Sequence, residues 1–222
     1  MSARPEVWAV VPIKNTVDAK QRLADVLSAE HRRGLFIAML TDVLTALAGA
    51  TALAGIVAVT RDPHACELAR RFGAEIASEP ANDGHTAAVT RGGDYLRAKG
   101  HSAMLALPGD IPTLSSAEVD AMVGALDSTP GFAIAPSGDK FGSNGVAVSP
   151  TDLIEFAFGN DSFRPHLTRA KAAGVQPSIL ELPGFALDVD RPDDLATFAA
   201  QPSATLSYEY LRREELLGRL MI

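Results

Sequence analysis

The residues best suited to chemistry in this chain fall into four groups. The first is Pro12-Ile13-Lys14-Asn15 with Ala19-Lys20-Gln21-Arg22-Leu23, which places three cations within nine positions. Cations at that density suit a polyanion, and they equally suit a solvated loop. The second is Leu107-Pro108-Gly109-Asp110-Ile111-Pro112, where prolines stiffen the backbone around one carboxylate. Magnesium takes one or two carboxylates together with phosphate oxygens and water, so few such residues suffice. A turn or cap role is the other common use of such an Asp. The third is Asp188-Val189-Asp190, whose carboxylates share one face if the segment is extended. The acidic run continues to Asp194 and also suits a helix start, where the dipole favours anions. We therefore expect Asp193 and Asp194 to serve the helix and Asp188 or Asp190 to serve a metal. The fourth group is Gly142-Ser143-Asn144-Gly145 with Phe158-Gly159-Asn160-Asp161-Ser162-Phe163-Arg164-Pro165-His166. Small residues and hydroxyls beside free backbone N–H groups suit an anion, although Gly-Ser-Asn is also a common bare turn. A helix opening at Ser162 would aim its positive end at a phosphate or carboxylate, with His166 one turn further on the same face as a second donor.

Several chemistries are disfavoured. There is no Gly-x-Gly-x-x-Gly, no P-loop, no Gly-x-Ser-x-Gly elbow and no His pair at metal-ligand spacing. The remaining histidines, His31, His64, His85 and His101, read as structural or solvent-facing. A lone cysteine, Cys66, excludes an intramolecular disulfide framework and a multi-cysteine zinc site. Against 20 basic residues stand 27 acidic ones, a formal charge of −7, which argues against a nucleic-acid binder. No apolar run reaches the ~20 residues that span a bilayer, and the first residues lack the order of a signal peptide. A cytoplasmic protein without a membrane partner is expected. Apolar residues at 47% of 222 positions are enough for a sizeable core.

The elements that must position these groups alternate. Val7 to Ile13 is a short β-branched apolar run, too short for a core helix, and predicts a buried strand. Ser28 stands as an N-cap before Leu35, Met39, Val43 and Leu47, which recur every fourth residue on one helix face. Strands are predicted at 55–60, 74–78 and 102–107. A helix capped by Asp62-Pro63 separates the first two, and a helix over 84–99 separates the next two. Another helix, capped by Ser115 or Ser116, ends near Leu126. Alternation of this kind implies parallel strands with right-handed crossovers, an α/β sandwich. Further on, strands are expected at 131–135, 145–149 and 178–182, and helices at 151–158, 162–173 and from Arg191 through Phe198. Beyond the Gln201-Pro202-Ser203 break, Tyr208 to Ile222 has an amphipathic pattern that suits a docking helix or a homodimer contact. In an open parallel sheet, ligands bind outside the carboxyl ends of the strands. That edge is where the first and second groups fall.

In their order along the chain, these groups resemble the phospholactate or phosphoenolpyruvate guanylyltransferases of coenzyme F-420 biosynthesis. The resemblance rests on Lys14 with Ala19-Lys20-x-Arg22-Leu23, Leu107-Pro-x-Asp110-x-Pro112, Gly142-Ser-Asn144, Phe158-Gly-x-Asp-Ser-Phe163-x-x-His166 and Asp188-x-Asp190-x-Pro-x-Asp-Leu195. It runs from about Val7 to Phe198. The Phe-Gly-x-Asp-Ser-Phe-x-x-His stretch is its most specific part, whereas the acidic element is shared with wider nucleotidyltransferases. Thr86, in Gly84-His85-Thr86-Ala87-Ala88, stands where the family usually has Asn. Gly145 stands where alanine is common. The segment beyond Gln201 has no counterpart in the family pattern.

The resemblance implies a Rossmann-like, three-layer nucleotidyltransferase sandwich with a mostly parallel central sheet. It implies a nucleotidyltransferase domain over 1–201 and a C-terminal helical extension over 202–222. The implied reaction is attack of an ionised substrate phosphate on the α-phosphorus of GTP, with pyrophosphate leaving and no general base required. By the same resemblance Mg2+ would sit on Asp110 with Asp188 or Asp190. Lys14, Lys20 and Arg22 would neutralise the triphosphate, with Asp110 completing the catalytic set. Pro12, Lys14, Gly84, Thr86 and Pro108 would contact the nucleotide. Ser143, Asn144, Gly159, Ser162 and His166 would hold a three-carbon phosphoacid such as 2-phospho-L-lactate, phosphoenolpyruvate or 3-phosphoglycerate. The alternatives are a molybdopterin guanylyltransferase or a cytidylyltransferase, and outside enzymes a ligand-binding protein. Pro12-Ile-Lys-Asn lacks the glycine-rich loop typical of the former group, and the three carboxylates argue against the latter.

Overall fold

The computed structural model describes residues 5–78 and 83–220. Val7–Pro12 (β1) lies at the centre of the sheet because both of its faces can be buried. Val7, Ala9 and Val11 join one apolar cluster and Val10 joins the other, the period-two alternation of a strand covered on both sides. β1 pairs in parallel with Leu53–Thr60 (β2) and Ala103–Ala106 (β4), and β2 pairs in parallel with Glu75–Ser78 (β3). Ser143–Ser149 (β6) is antiparallel to β4 and to Gly131–Pro136 (β5), and Ser178–Ile179 (β7) runs parallel to β5. The seven strands form one sheet in the order β3-β2-β1-β4-β6-β5-β7. The expected mostly parallel α/β architecture is present.

Helices cover both faces. Ala29–Gly49 (α1) starts at Ser28, whose hydroxyl accepts from the His31 amide at 3.2 Å, and it buries Leu35, Met39, Val43 and Leu47. Pro63–Arg71 (α2) is capped by Asp62. His85–Ala98 (α3) begins after Gly84, whose φ of 95° is left-handed and suits glycine alone. Ser116–Gly124 (α4) carries a capping box between Ser115 and Glu118. Phe163–Ala172 (α5), Pro183–Ala186 (α6) and Pro192–Ala199 (α7) follow. No described helix is long and apolar enough to cross a membrane.

Three expectations need revision. Residues 151–158 are not helical: Thr151, Ile154 and Phe156 are buried while Asp152 and Glu155 are exposed, and Leu153 closes a turn on the Pro150 carbonyl. From Ile154 onward the spacing is that of extended chain, which sequence periodicity over so short a run cannot separate from a helix. The strand expected over 178–182 is only two residues long. The C-terminal pattern breaks into Leu206–Arg213 (α8) and Leu217–Leu220 (α9), with Glu215 left-handed between them; residues 221 and 222 lie outside the described residues. α8 docks on α1 of its own chain. The Asp42 carboxylate accepts from the amides of Leu206 and Ser207 at 2.7 and 2.9 Å, and Leu211 and Leu216 enter the same core as β1. The segment that begins at 202 is thus packed into the sandwich.

Candidate active site

The carboxyl ends of β1 and β4 and the start of β6 open onto a cleft of about 960 Å3. Pro12 and Lys14 enter it from β1, Pro108 and Asp110 from β4, and Ser143 and Asn144 from β6. A smaller hollow of about 500 Å3 beside Ala77, Thr90 and Tyr95 holds no comparable set of groups.

Lys20 is the electrostatic centre of the cleft. Its backbone is left-handed (φ 57°), an uncommon conformation for a residue with a side chain, and its side chain is only 4% exposed. The ammonium bonds Asp110 Oδ2 and reaches Asp190 Oδ1 at 2.8 Å, while Arg22 Nη1 holds the other Asp190 oxygen at 2.9 Å. Burial works against the charge on Lys20, but the two carboxylates outweigh it and raise the pKa. Burial likewise opposes the charge on Asp190, and Lys20 and Arg22 more than compensate, holding its carboxyl below the ordinary range. Asp188 behaves oppositely. Burial pushes its carboxyl up, and the Asp110 and Asp190 charges add to this against a hydrogen bond from Asn144 Nδ2 at 2.9 Å.

The segment carrying Asp188 and Asp190 is placed by backbone contacts. Val189 donates to the Asp110 carbonyl at 3.0 Å and buries its side chain completely, so its two neighbours project to the opposite side, into the cleft. Glu118, the capping residue of α4, also accepts from the Gly184 amide at 2.6 Å and anchors the approach to this segment. Asp194 accepts from the amides of Asp190 and Arg191, as expected for the start of α7. The alanine common at position 145 would crowd this strand, because a Cβ there would lie 2.7 Å from Phe185 Cε1 and the ring would have to shift.

Of the residues expected to bind ligands, Lys14, Lys20, Arg22, Asp110, Asp188, Asp190, Pro12, Pro108, Ser143, Asn144, Gly159 and Ser162 all line this cleft. Gly84, Thr86 and His166 do not. Thr86 Oγ1 is engaged with the backbone of Phe158, accepting from its amide at 3.1 Å and donating to its carbonyl at 3.3 Å. That closed pair leaves the hydroxyl little freedom to contact a base.

The expected anion pocket at the start of α5 is also changed. The amides of Ser162 and Phe163 both donate to the Phe141 carbonyl at 2.9 Å, so they are not free for a ligand. His166 is fully buried, and both ring nitrogens already bond the protein: Nε2 accepts from the Ala157 amide at 3.0 Å and Nδ1 meets Ser143 Oγ at 3.1 Å. It cannot donate directly to a substrate in this arrangement. Burial lowers its pKa to about 4, so the ring is neutral at pH 7.

Two contributors escaped sequence reasoning. His85, read as structural or solvent-facing, lines the cleft beside Phe158. Burial drives its pKa down to about 4, with Lys14 lowering it further and Asp110 opposing. Its place directly after Gly84, following a strand, was the available signal. Asp62 was recognised only as a cap. Its Oδ1 does cap α2, accepting from His64 and Ala65, while Oδ2 accepts from the Thr16 amide and hydroxyl, both at 2.8 Å. One carboxylate therefore ties the loop carrying Lys14 to the end of β2.

The family described as guanylyl transferase CofC-like matches residues 7–217, so the segment beyond Gln201, expected to lack a counterpart in the family, has one as far as 217. A phosphoenolpyruvate guanylyltransferase of Conexibacter woesei is 38% identical over 189 residues, 85% of each chain. One from Sphaerobacter thermophilus is 37% identical over 194 residues, 86% of this chain and 91% of that one. Among solved structures, a chain described as a nucleotide-diphospho-sugar transferase from Desulfovibrio desulfuricans G20 superposes with a TM-score of 0.76 at 19% identity, covering 97% of this chain and 98% of that one. A cytidylyltransferase from Leptospira borgpetersenii gives 0.60 at 14% identity, with 96% of each chain covered. At such identities the structural likeness speaks to the fold alone, and the sequence relatives carry the assignment. The chain is a nucleotidyltransferase and belongs to the family of CofC-like guanylyl transferases.

Proposed function

We propose that the protein transfers a guanylyl group from GTP to the phosphate of phosphoenolpyruvate, or of a three-carbon phosphoacid closely related to it, as a step of coenzyme F-420 biosynthesis. The observation that carries the reading is the convergence, in one cleft, of three carboxylates with Lys14, Lys20 and Arg22. Similarity to relatives named as phosphoenolpyruvate guanylyltransferases supports the acceptor, and the resemblance supplies the pathway.

In the reaction an acceptor phosphate oxygen, ionised at pH 7, attacks the α-phosphorus of GTP. The bond from that phosphorus to the bridging oxygen breaks, the oxygen keeps the electron pair, and pyrophosphate leaves. No proton need be removed from the nucleophile, so no general base is required. The work left to the chain is orientation and charge neutralisation. Lys14, Lys20 and Arg22 suit the triphosphate, and Ser143 and Ser162 suit the acceptor. A hard cation fits the carboxylate set: Asp110 Oδ1 is buried without a hydrogen-bond partner, and such an oxygen can only accept. Magnesium takes most of its ligands from phosphate and water, so one or two carboxylates suffice. Asp110 with Asp188 or Asp190 would hold it, and the ion would supply charge neutralisation at the reacting phosphates.

The test is pyrophosphate release measured with magnesium, over GTP, CTP and ATP and over phosphoenolpyruvate, 2-phospholactate and 3-phosphoglycerate. Turnover requiring both GTP and one of the three acids is expected. Release with CTP in preference to GTP, or independent of any acid, would overturn the reading.

A further inference from the structure

A hydroxyl group can accept two hydrogen bonds and donate one, and its neighbours decide which remains for a ligand. Ser143, the first residue of β6, lines the cleft with its hydroxyl facing Ser162 and His166. The direction of each bond can be derived. The Ala157 amide can only donate, and it donates to His166 Nε2 at 3.0 Å, so that nitrogen carries a lone pair. A neutral imidazole then bears its single proton on Nδ1, and Nδ1–H must donate to Ser143 Oγ, 3.1 Å away. Ser162 Oγ also donates to Ser143 Oγ, at 3.1 Å. Both lone pairs of the Ser143 oxygen are thereby occupied. Its one hydrogen has no protein acceptor among the described residues.

We propose that His166 is a positioning residue that fixes Ser143 as an obligate hydrogen-bond donor into the cleft, matched to an anionic oxygen of the acceptor. This rests on the guanylyl-transfer reading above and assigns the acceptor specificity of that site. Phosphate and carboxylate oxygens at pH 7 only accept, so a hydroxyl with nothing left but its hydrogen complements them. A ligand offering an N–H or O–H at the same point would meet no free lone pair, and unpaired donors in a closed site are strongly disfavoured. Ala157 belongs to the extended stretch that begins at Ile154, so the polarity of the cleft is set by a backbone amide on the side of His166 away from the ligand.

The experiment compares His166→Gln with His166→Asn by steady-state kinetics, varying GTP and phosphoenolpyruvate separately, alongside melting temperatures and the 15N imidazole spectrum of the wild type. Asn places an amide N–H near the Nδ1 position and keeps the donor to Ser143, whereas Gln places its polar end near Nε2 and loses it. His166→Gln should raise the KM for phosphoenolpyruvate about tenfold, as loss of a hydrogen bond to a charged group does, with the GTP KM changed less than about twofold. His166→Asn should recover most of the acceptor KM although both variants lose thermal stability. Ser143→Ala should reproduce the Gln phenotype and add nothing further to it, the signature of a shared interaction. The spectrum should show Nδ1 protonated and Nε2 bare. An Nε2–H tautomer, equal acceptor KM values for Gln and Asn, or a matching rise for GTP each overturn the proposal. If the wild type does not transfer a guanylyl group to any acid, the underlying reading fails and the proposal with it. That outcome is distinct from an active wild type whose variants do not separate.

Discussion

Replacing Lys20 by Met tests the electrostatic centre of the cleft most directly. The thioether fills much of the volume of the lysine stem but removes the charge that Asp110 and Asp190 share. Breaking a buried ion pair from one side costs about 3–5 kcal/mol, because the remaining charge is left uncompensated. Here the Asp190 carboxylate is 38% exposed and keeps Arg22 at 2.9 Å, which discounts the loss to about 2–3 kcal/mol. For a chain of this length each kcal/mol moves the midpoint by roughly 2–4 °C, so Lys20→Met should melt about 5–10 °C lower. The same substitution leaves Asp110 without a cation partner and Asp190 with Arg22 alone. Manganese, used as a probe for magnesium, should therefore raise the melting temperature of the variant more than that of the wild type in the absence of nucleotide. At a hundred times its Kd the ion should return about 2.7 kcal/mol. Differential scanning fluorimetry with a manganese titration reads both effects, and nucleotide KM should rise in parallel. An unchanged melting temperature would refute the assigned balance of charges. An equal manganese response in both proteins would show that Lys20 does not compete for the carboxylates.

Three further outcomes follow from the same geometry. Asp188→Asn should raise the melting temperature at pH 8 while reducing turnover, because burial and two neighbouring carboxylates disfavour its charge. A raised folded pKa contributes stability at low pH that is lost as pH rises through it, so the advantage of the Asn variant must shrink on acidification, and an advantage that grows instead refutes the assignment. Asp62→Ala should cost about 2–3 kcal/mol, from the lost helix cap and the unpaired Thr16 amide, and should raise nucleotide KM by loosening the Lys14 loop. Burial opposes the charge on Asp62, but its donors outweigh this and hold its pKa low, so in chemical denaturation the wild-type advantage should be full near pH 7 and fade as pH falls below the ordinary carboxylate range. Gly145→Ala should destabilise by about 1–3 kcal/mol, as overpacking does. A smaller side chain at Phe185 should partly relieve it, and no relief would mean that some other contact limits position 145.

Local periodicity and local chemistry made much of this protein legible without coordinates. Val7–Pro12 could only be a buried strand, since both of its faces are apolar over a length too short for a helix. Ser28, Asp62 and the pair Ser115-Ser116 announce helices because a side-chain oxygen three residues or fewer from an orphan amide is a short-range fact, although only the structure selects Ser115 as the cap. The prolines around Asp110 and the i, i+2 spacing of Asp188 and Asp190 marked candidate metal carboxylates for the same reason. Tertiary structure alone decided what each group is free to do. Whether Ser162 and Phe163 offer their amides depends on the Phe141 carbonyl, about twenty residues earlier in the chain. Whether His166 touches a ligand or orients Ser143 depends on the Ala157 amide, in a segment whose spacing a helix or a strand could satisfy. The pairing of Lys20 with Asp110 and Asp190 joins residues ninety and one hundred and seventy positions apart. Sequence periodicity reports which way a side chain faces on its own element, whereas hydrogen-bond valence is filled by whatever the fold brings within about 3 Å.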